Sequence, residues 1–223
     1  MSNRKGENMI TLKEAHEAGK VSVSNGKMPG STFAISARAC NVGGKLAELK
    51  GSVCHKCYAL KLQNLRPSVN TGWTGNLDKA VRMINSDPAR WVAFMAFQIN
   101  KAYEKTGEAF HRWFDSGDLQ SVQMLDAICE VARATPQIKH WLPTREGKIL
   151  KAFTGSLPDN LVIRVSSPMI DDKPMAGYIW TSTVHKHSEP EGHVCPARHQ
   201  GNSCGSCRAC WSDAVRNISY PLH

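Results

Sequence analysis

Apolar residues along the chain gather into short strand-like runs separated by longer helix-like ones. The runs Thr32 to Ala37, Ala109 to Phe114, Ile138 to Leu142, Leu161 to Ser166 and Tyr178 to Val184 predict strands, several of them ending at a turn or polar cluster. Between them Asn76 to Asn85, Pro88 to Tyr103, Ser121 to Ala134 and Glu146 to Phe153 predict helices. Ser121 is placed to cap its helix, and Asp87 followed by Pro88 is a helix start. Strand, helix and strand in repeated succession, with linkers too short for an intervening domain, predict right-handed crossovers and a largely parallel sheet. The fold class is therefore α/β. Five strands are too few to close an eight-stranded barrel, so the expected architecture is an open or partial parallel (β/α) barrel-like sheet. Residues 1–223 read as a single domain, with an N-terminal extension over 1–24 and a cysteine-rich segment over 185–223. There is no internal repeat or low-complexity tract.

In such sheets reactive groups collect at the carboxyl ends of the strands. That edge is expected to carry Cys40, then Asp115-Ser116-Gly117-Asp118, Thr144-Arg145, Ser166-Ser167-Pro168, and the segment holding His185 and His187. Asp115 and Asp118 are candidates for a general base or a ribose-like hydroxyl partner, against the plainer role of shaping the turn. Arg145, with Thr144, and Arg164 are candidates for phosphate or carboxylate binding, against ordinary surface ion pairing. His185, His187, His193 and His199 crowd one segment, where one could ligate metal or support a cluster sulfur while the others are solvated. The sequence lacks a Gly-x4-Gly-Lys-Ser/Thr loop, a Gly-x-Ser-x-Gly elbow and a His-Glu-x2-His helix. NTP hydrolysis, α/β-hydrolase chemistry and zincin proteolysis thus lose their usual supports.

A net charge of +9 adds a surface attractive to nucleic acid, nucleotide-like ligands or an acidic host protein, although no run of five or six basic residues concentrates it. A generally basic solvated surface is the alternative. No apolar run is long enough to span a membrane, and the N-terminus is polar and mixed in charge. The expected location is the cytoplasm. In that reducing compartment closely spaced cysteines are metal ligands or redox groups more often than disulfides.

Eight cysteines then become the main chemical signal. Cys195, Cys204, Cys207 and Cys210 lie in a Gly/Ser/Ala-rich stretch in which three thiols recur at every third residue. A short loop of this kind can wrap a cuboidal [4Fe-4S] cluster while backbone N–H groups reach its sulfides. Structural zinc sites more often use two separated cysteine pairs, so the run favours iron–sulfur over zinc, with unligated or disulfide-linked thiols as the remaining alternative. Trp211 follows directly, as a shield for the cluster or a plain core residue. Cys40, Cys54 and Cys57 form a second set, a candidate cofactor site with one coordination position left over. His55, His187, an exchangeable ligand or a C-terminal cysteine could fill that position, while simple packing or a redox dithiol is the bland reading. Cys129 sits mid-helix among apolar residues and reads as core.

Two resemblances rest on these residues. Asn25-Gly26-Lys27-Met28-Pro29-Gly30, Cys40-Asn41-Val42-Gly43, Cys54-His55-Lys56-Cys57-Tyr58-Ala59, Asp115-Ser116-Gly117-Asp118 and the terminal cysteine run resemble the phage-encoded family called gene product eighty-eight, over roughly residues 21 to 211. That resemblance implies a phage protein and supports metal binding without naming a substrate. Cys54 to Ala59 is also similar to the cluster loop of radical S-adenosylmethionine enzymes, which implies a cluster-bearing half-barrel with S-adenosylmethionine as a candidate ligand. The spacing departs from theirs: Lys50 stands where their first cysteine falls, and Cys40 is the only replacement. The expectation is a phage-encoded iron–sulfur protein of redox or radical type. Its rival is a zinc-stapled basic protein that binds nucleic acid or a host factor.

Overall fold

The structure, a computed structural model, describes residues 10–222; the first nine residues of the expected N-terminal extension and the last residue of the C-terminal segment lie outside that range. Among the described residues seven strands form one sheet: β1 (Ser31–Phe33), β2 (Phe110–Trp113), β3 (Lys139–Thr144), β4 (Leu161–Ile170), β5 (Thr181–His185), β6 (His193–Val194) and β7 (Asn217–Pro221). Their order is β1-β2-β3-β4-β5-β7-β6, and every pair is parallel. The sheet is open, as the sequence predicts, and the two strands beyond the expected five come from the cysteine-rich tail.

Seven α-helices accompany the sheet among the described residues: α1 (Leu12–Ala15), α2 (Asn41–Ala47), α3 (Tyr58–Leu65), α4 (Pro67–Ser86), α5 (Pro88–Thr106), α6 (Val122–Ala134) and α7 (Gly147–Ala152). In α5, Trp91, Met95, Gln98, Ile99 and Ala102 recur at helical spacing and are buried. Asp87 accepts from the Arg90 N–H at 3.0 Å, Pro88 takes the first turn, and Gly107 ends the helix in the left-handed region. Ser121 caps α6 by accepting from the Met124 N–H at 3.1 Å, worth about 1 kcal/mol. The stretch Ala15–Val21 also belongs to this packing. Ala15, Ala18 and Val21 are buried, Gln98 donates to the Ala15 and Gly19 carbonyls, and the Trp91 indole donates to Ala18.

Walking through β1 to β5 in one direction with like-handed crossovers puts every connecting helix on the same face. Side chains then sort by strand alternation. Trp113, Leu142, Leu161 and Ile163 share the buried core with α4, α5 and α6. Phe110, Arg112, Trp141 and Arg164 alternate to the other face, where the chain after β6 covers them. Trp211 is buried there edge-on to Phe110 and Trp141, with centroids 5.4 and 5.2 Å away, and its indole donates to the His111 carbonyl at 2.9 Å. It is therefore core, of the sheet's second face. No described helix is long and apolar enough to cross a membrane.

Candidate functional site

At the carboxyl edge the chain leaves β1 and turns into α2, whose N-cap is Cys40. Because that thiol does not cap the helix, Glu146 does so from the end of β3, accepting from the Val42 N–H at 2.9 Å. Gln63 fixes the preceding turn by accepting from the Ala37 N–H and donating to Ser36. Cys54 and Cys57 lie on a loop pinned to the end of β4: Val53 donates to Pro168 and Ile170 donates to Gly51. The Cys40 and Cys54 sulfurs both lie within 4 Å of the point a Cβ on Gly43 would occupy, so Gly43 keeps the space between them open.

Burial pushes the Cys40 thiol up to about 12, with Asp118, Cys57, Cys54 and Glu146 adding in the same sense. Burial also raises Cys54, and the Arg145 guanidinium opposes it. Cys40, Cys54 and Cys57 thus share one locality with Asp118, Arg145 and Glu146. Asp118 is committed within it. One oxygen accepts from the Thr144 hydroxyl at 2.6 Å and the Leu119 N–H at 2.8 Å, the other from the Arg145 N–H at 2.9 Å. Burial nevertheless lifts its carboxyl to about 6. It ties the β2 and β3 ends together. Asp115 differs: Oδ2 accepts from Thr32 at 3.2 Å while Oδ1 is buried without a partner, as are Ser116 Oγ and Arg145 Nε. Phe114 places Asp115 from a left-handed backbone, φ 53°, a conformation that costs a non-glycine residue about 1–2 kcal/mol. Gly117 is required where it stands, since at φ 86° a Cβ would lie 2.3 Å from Ile35 Cγ1.

The C-terminal cysteines form another group. Cys195 follows β6 and donates its N–H to Ser219, and Cys204 donates its N–H to Lys27. Burial raises Cys195, Cys204 and Cys210, the last to about 12, and thiols of the same group add to each. Arg112 opposes the shift at Cys204 and Cys210, Arg208 at Cys204 and Arg164 at Cys210. Cys207 Sγ meets His193 Nε2 at 3.4 Å, and Cys210 Sγ meets the Tyr220 hydroxyl at 3.2 Å. Cys40, Cys54 and Cys57 lie at the carboxyl edge, whereas the C-terminal cysteines lie on the sheet face opposite the helices.

Arg164 is fully buried and organises this loop by donating to the carbonyls of Ala209, Cys210, Ser212, Val215 and Arg216. Neither Arg164 nor Arg112 meets a carboxylate among the described residues; Arg112 instead stacks on Trp141 at 4.6 Å. Arg112 beside Cys204 and Cys210, and Arg164 beside Cys210, suit thiols that carry negative charge. All eight cysteines are free in this structure. As the side chains lie, no three described His, Cys, Asp or Glu residues are grouped for one metal ion. The donor chemistry, four soft thiols on a short loop beside compensating cations, fits a thiophilic metal or cluster.

The other candidates fall elsewhere. His185 Nδ1 pairs with Ser219 Oγ at 2.7 Å, and the exposed His55 pairs its Nδ1 with the Ala47 carbonyl. The His187 N–H donates to Asp171, whose carboxylate also accepts from Lys186 and Ser188. Cys129 is core in α6. Compared with known proteins, the chain matches the Gene product 88 family over residues 2–188. It belongs to the Gene product 88 family. The matched span includes Cys40, Cys54, Cys57, Asp115, Asp118 and Arg145 and stops before the four C-terminal cysteines. No curated protein and no solved structure matches the chain.

Proposed function

We propose that this Gene product 88 protein is a phage-encoded iron–sulfur protein that carries out one-electron redox chemistry on the sheet face opposite its helices. The observation that carries the reading is that Cys195, Cys204, Cys207 and Cys210 share one loop segment in which Arg112 and Arg208 act on Cys204 and Arg112 and Arg164 on Cys210. Raised thiol pKa values mean that metal must displace protons to bind, and the guanidinium groups offset the charge then left behind. A bound [4Fe-4S] cluster would supply electron storage there.

At the other site Cys40, Cys54 and Cys57 would hold a second cluster, leaving one iron position for a ligand from outside. Arg145 Nε, Asp115 Oδ1 and Ser116 Oγ are the polar atoms available to orient that ligand. S-adenosylmethionine is one candidate ligand. Cys40 stands fourteen positions before Cys54, so the reading is an altered cluster loop on a related scaffold. The net charge of +9 favours a second reading, a zinc-stapled basic protein whose nucleic-acid affinity falls steeply with salt.

Anaerobically purified protein is expected to be brown, to contain iron and acid-labile sulfide, and to lose its charge-transfer absorption on adding dithionite. Colourless protein with stoichiometric zinc overturns the reading in favour of the second.

A further inference from the structure

Residues 38–66, which run from the turn after β1 through α2 and α3, carry Arg38, Lys45, Lys50, Lys56, Lys61 and Arg66 against a single acid, Glu48. Five of the nine net positive charges thus fall in this one segment. All six cations are exposed, and none meets a carboxylate among the described residues. Arg38 Nη2 donates to Asn64 on α3 at 2.7 Å, which joins the two ends of the segment. Cys40, Cys54 and Cys57 lie within it, and Val53 donates to Pro168 at 2.9 Å, so the charge collects at the carboxyl edge.

Apolar groups lie among these charges. Tyr58, Leu62 and Leu65 recur at helical spacing on α3 and are 66%, 38% and 65% exposed. Tyr58 stands apart because its hydroxyl donates to the Asp115 carbonyl at 3.0 Å. With its tip tied to the protein, the ring offers solvent its faces and edges. A planar group can stack there, whereas insertion into a lipid surface needs a side chain that protrudes. The same hydrogen bond sets the ring beside the 115–118 turn, where Asp115 Oδ1 and Ser116 Oγ are buried without partners and Ser116 is 3% exposed. Asp118 ties that turn to Arg145, whose Nε is also buried and unpartnered. An open acceptor, an open donor and a hydroxyl suit the mixed hydrogen-bonding edge of an unpaired base or the hydroxyl and phosphate of its sugar.

We infer that the carboxyl edge is a binding surface for single-stranded nucleic acid. The cations of residues 38–66 follow the phosphates, a base stacks on Tyr58, and the unpartnered atoms of Asp115, Ser116 and Arg145 meet that nucleotide. Charge alone suits any polyanion; the fixed ring and the polar atoms beside it select a strand with unpaired bases. The inference rests on the nucleic-acid part of the second reading above, to which it adds a place and a strand preference, and it does not depend on which metal the thiols hold.

The test uses the full chain, purified anaerobically, and a fluorescein-labelled deoxythymidine strand of about twelve nucleotides, followed by fluorescence anisotropy. Affinity is expected to fall steeply as salt rises. Lys50→Glu/Lys61→Glu should weaken binding roughly tenfold or more at low salt, and Tyr58→Ala about fivefold or more, with thermal melting unchanged in both. Lys105→Glu/Lys139→Glu puts the same charge change on exposed residues at the amino edge, before β2 and at the start of β3, and should weaken binding less than about threefold. Equal losses from the two charge pairs overturn the edge site and leave the basic-protein reading standing, since the attraction is then general. Tyr58→Ala without effect, or a duplex of the same length bound more tightly than the strand, overturns the single-strand assignment. No binding to the strand overturns this inference and the basic-protein reading together, and pelleting with phosphatidylglycerol vesicles in its place would make the edge a lipid surface.

Discussion

His140 lies under the sheet with both ring nitrogens engaged: the Trp113 indole donates to Nδ1 at 3.2 Å and Nε2 meets the Thr135 hydroxyl at 2.8 Å. An accepting Nδ1 places the ring proton on Nε2, so the network holds the neutral imidazole. Burial pushes His140 down to about 3, and burial beside His140 lowers His111 as well. Below pH 6.5 the unfolded chain takes up protons that the folded chain refuses. Stability is therefore complete above that pH and is lost as pH falls toward 3, by about 1.4 kcal/mol per pH unit at His140, with His111 acting in the same sense. Asp118, raised to about 6, works in the opposite sense between about pH 4 and 6, because there the folded chain keeps a proton that the unfolded chain releases. Urea denaturation at pH 7.5, 6 and 5 should thus show a shallower acid loss in His140→Asn than in the unaltered protein; parallel curves would disprove the assignment. Sequence alone placed Asp118 at the edge and did not separate it from Asp115. The difference is made by Thr144, Leu119 and Arg145, which saturate one carboxylate and leave an oxygen of the other bare. Glu146 escaped notice because its partner, the Val42 N–H, is distant in sequence and belongs to a short glycine-containing helix that the apolar pattern does not announce.

The first five strands were legible because each overlaps a short run rich in apolar, aromatic or β-branched residues, and α5 and α6 because cap, spacing and length agree. β7 was not: Asn-Ile-Ser-Tyr-Pro offers one aliphatic residue and ends in proline, yet it pairs with β5 across five positions and with β6 on its other side. Its strand character comes from Thr181, Ser182 and Thr183 alongside, through contacts such as Thr181 Oγ1 to Asn217 Oδ1 at 2.8 Å. α4 begins at Pro67, well before the expected Asn76, since Gly72 and Gly75 weaken the helical pattern without breaking it. The tail covers one face of the sheet even though the family match ends at residue 188. Removing it uncovers Phe110, Trp141 and the buried Arg164, and loss of the Trp211 packing alone should cost about 3–5 kcal/mol. A chain cut after Ser188 is expected to bind the dye ANS and to unfold without a cooperative thermal transition. Cooperative melting with no dye binding would mean that β1 to β5 stand alone.

On the scale of the molecule, two thiol groups occupy different parts of one sheet: one at the carboxyl edge among Asp118, Arg145 and Glu146, the other on the face opposite the helices. On the iron–sulfur reading, the different placement of the two groups on the sheet means that their clusters should be lost independently. Cys54→Ser and Cys207→Ser are each expected to remove about half of the bound iron in an anaerobic iron and sulfide assay, and the double variant nearly all of it. Loss of all iron on changing Cys207 alone would show that the cysteines build a single site.

Arg164 gives the C-terminal loop a scaffold independent of any metal. Its guanidinium grips five carbonyls from a stretch with little regular structure, so the loop has its shape before any ligand arrives. On the iron–sulfur reading such a site would refill after metal loss without first having to fold, a route to repair in place.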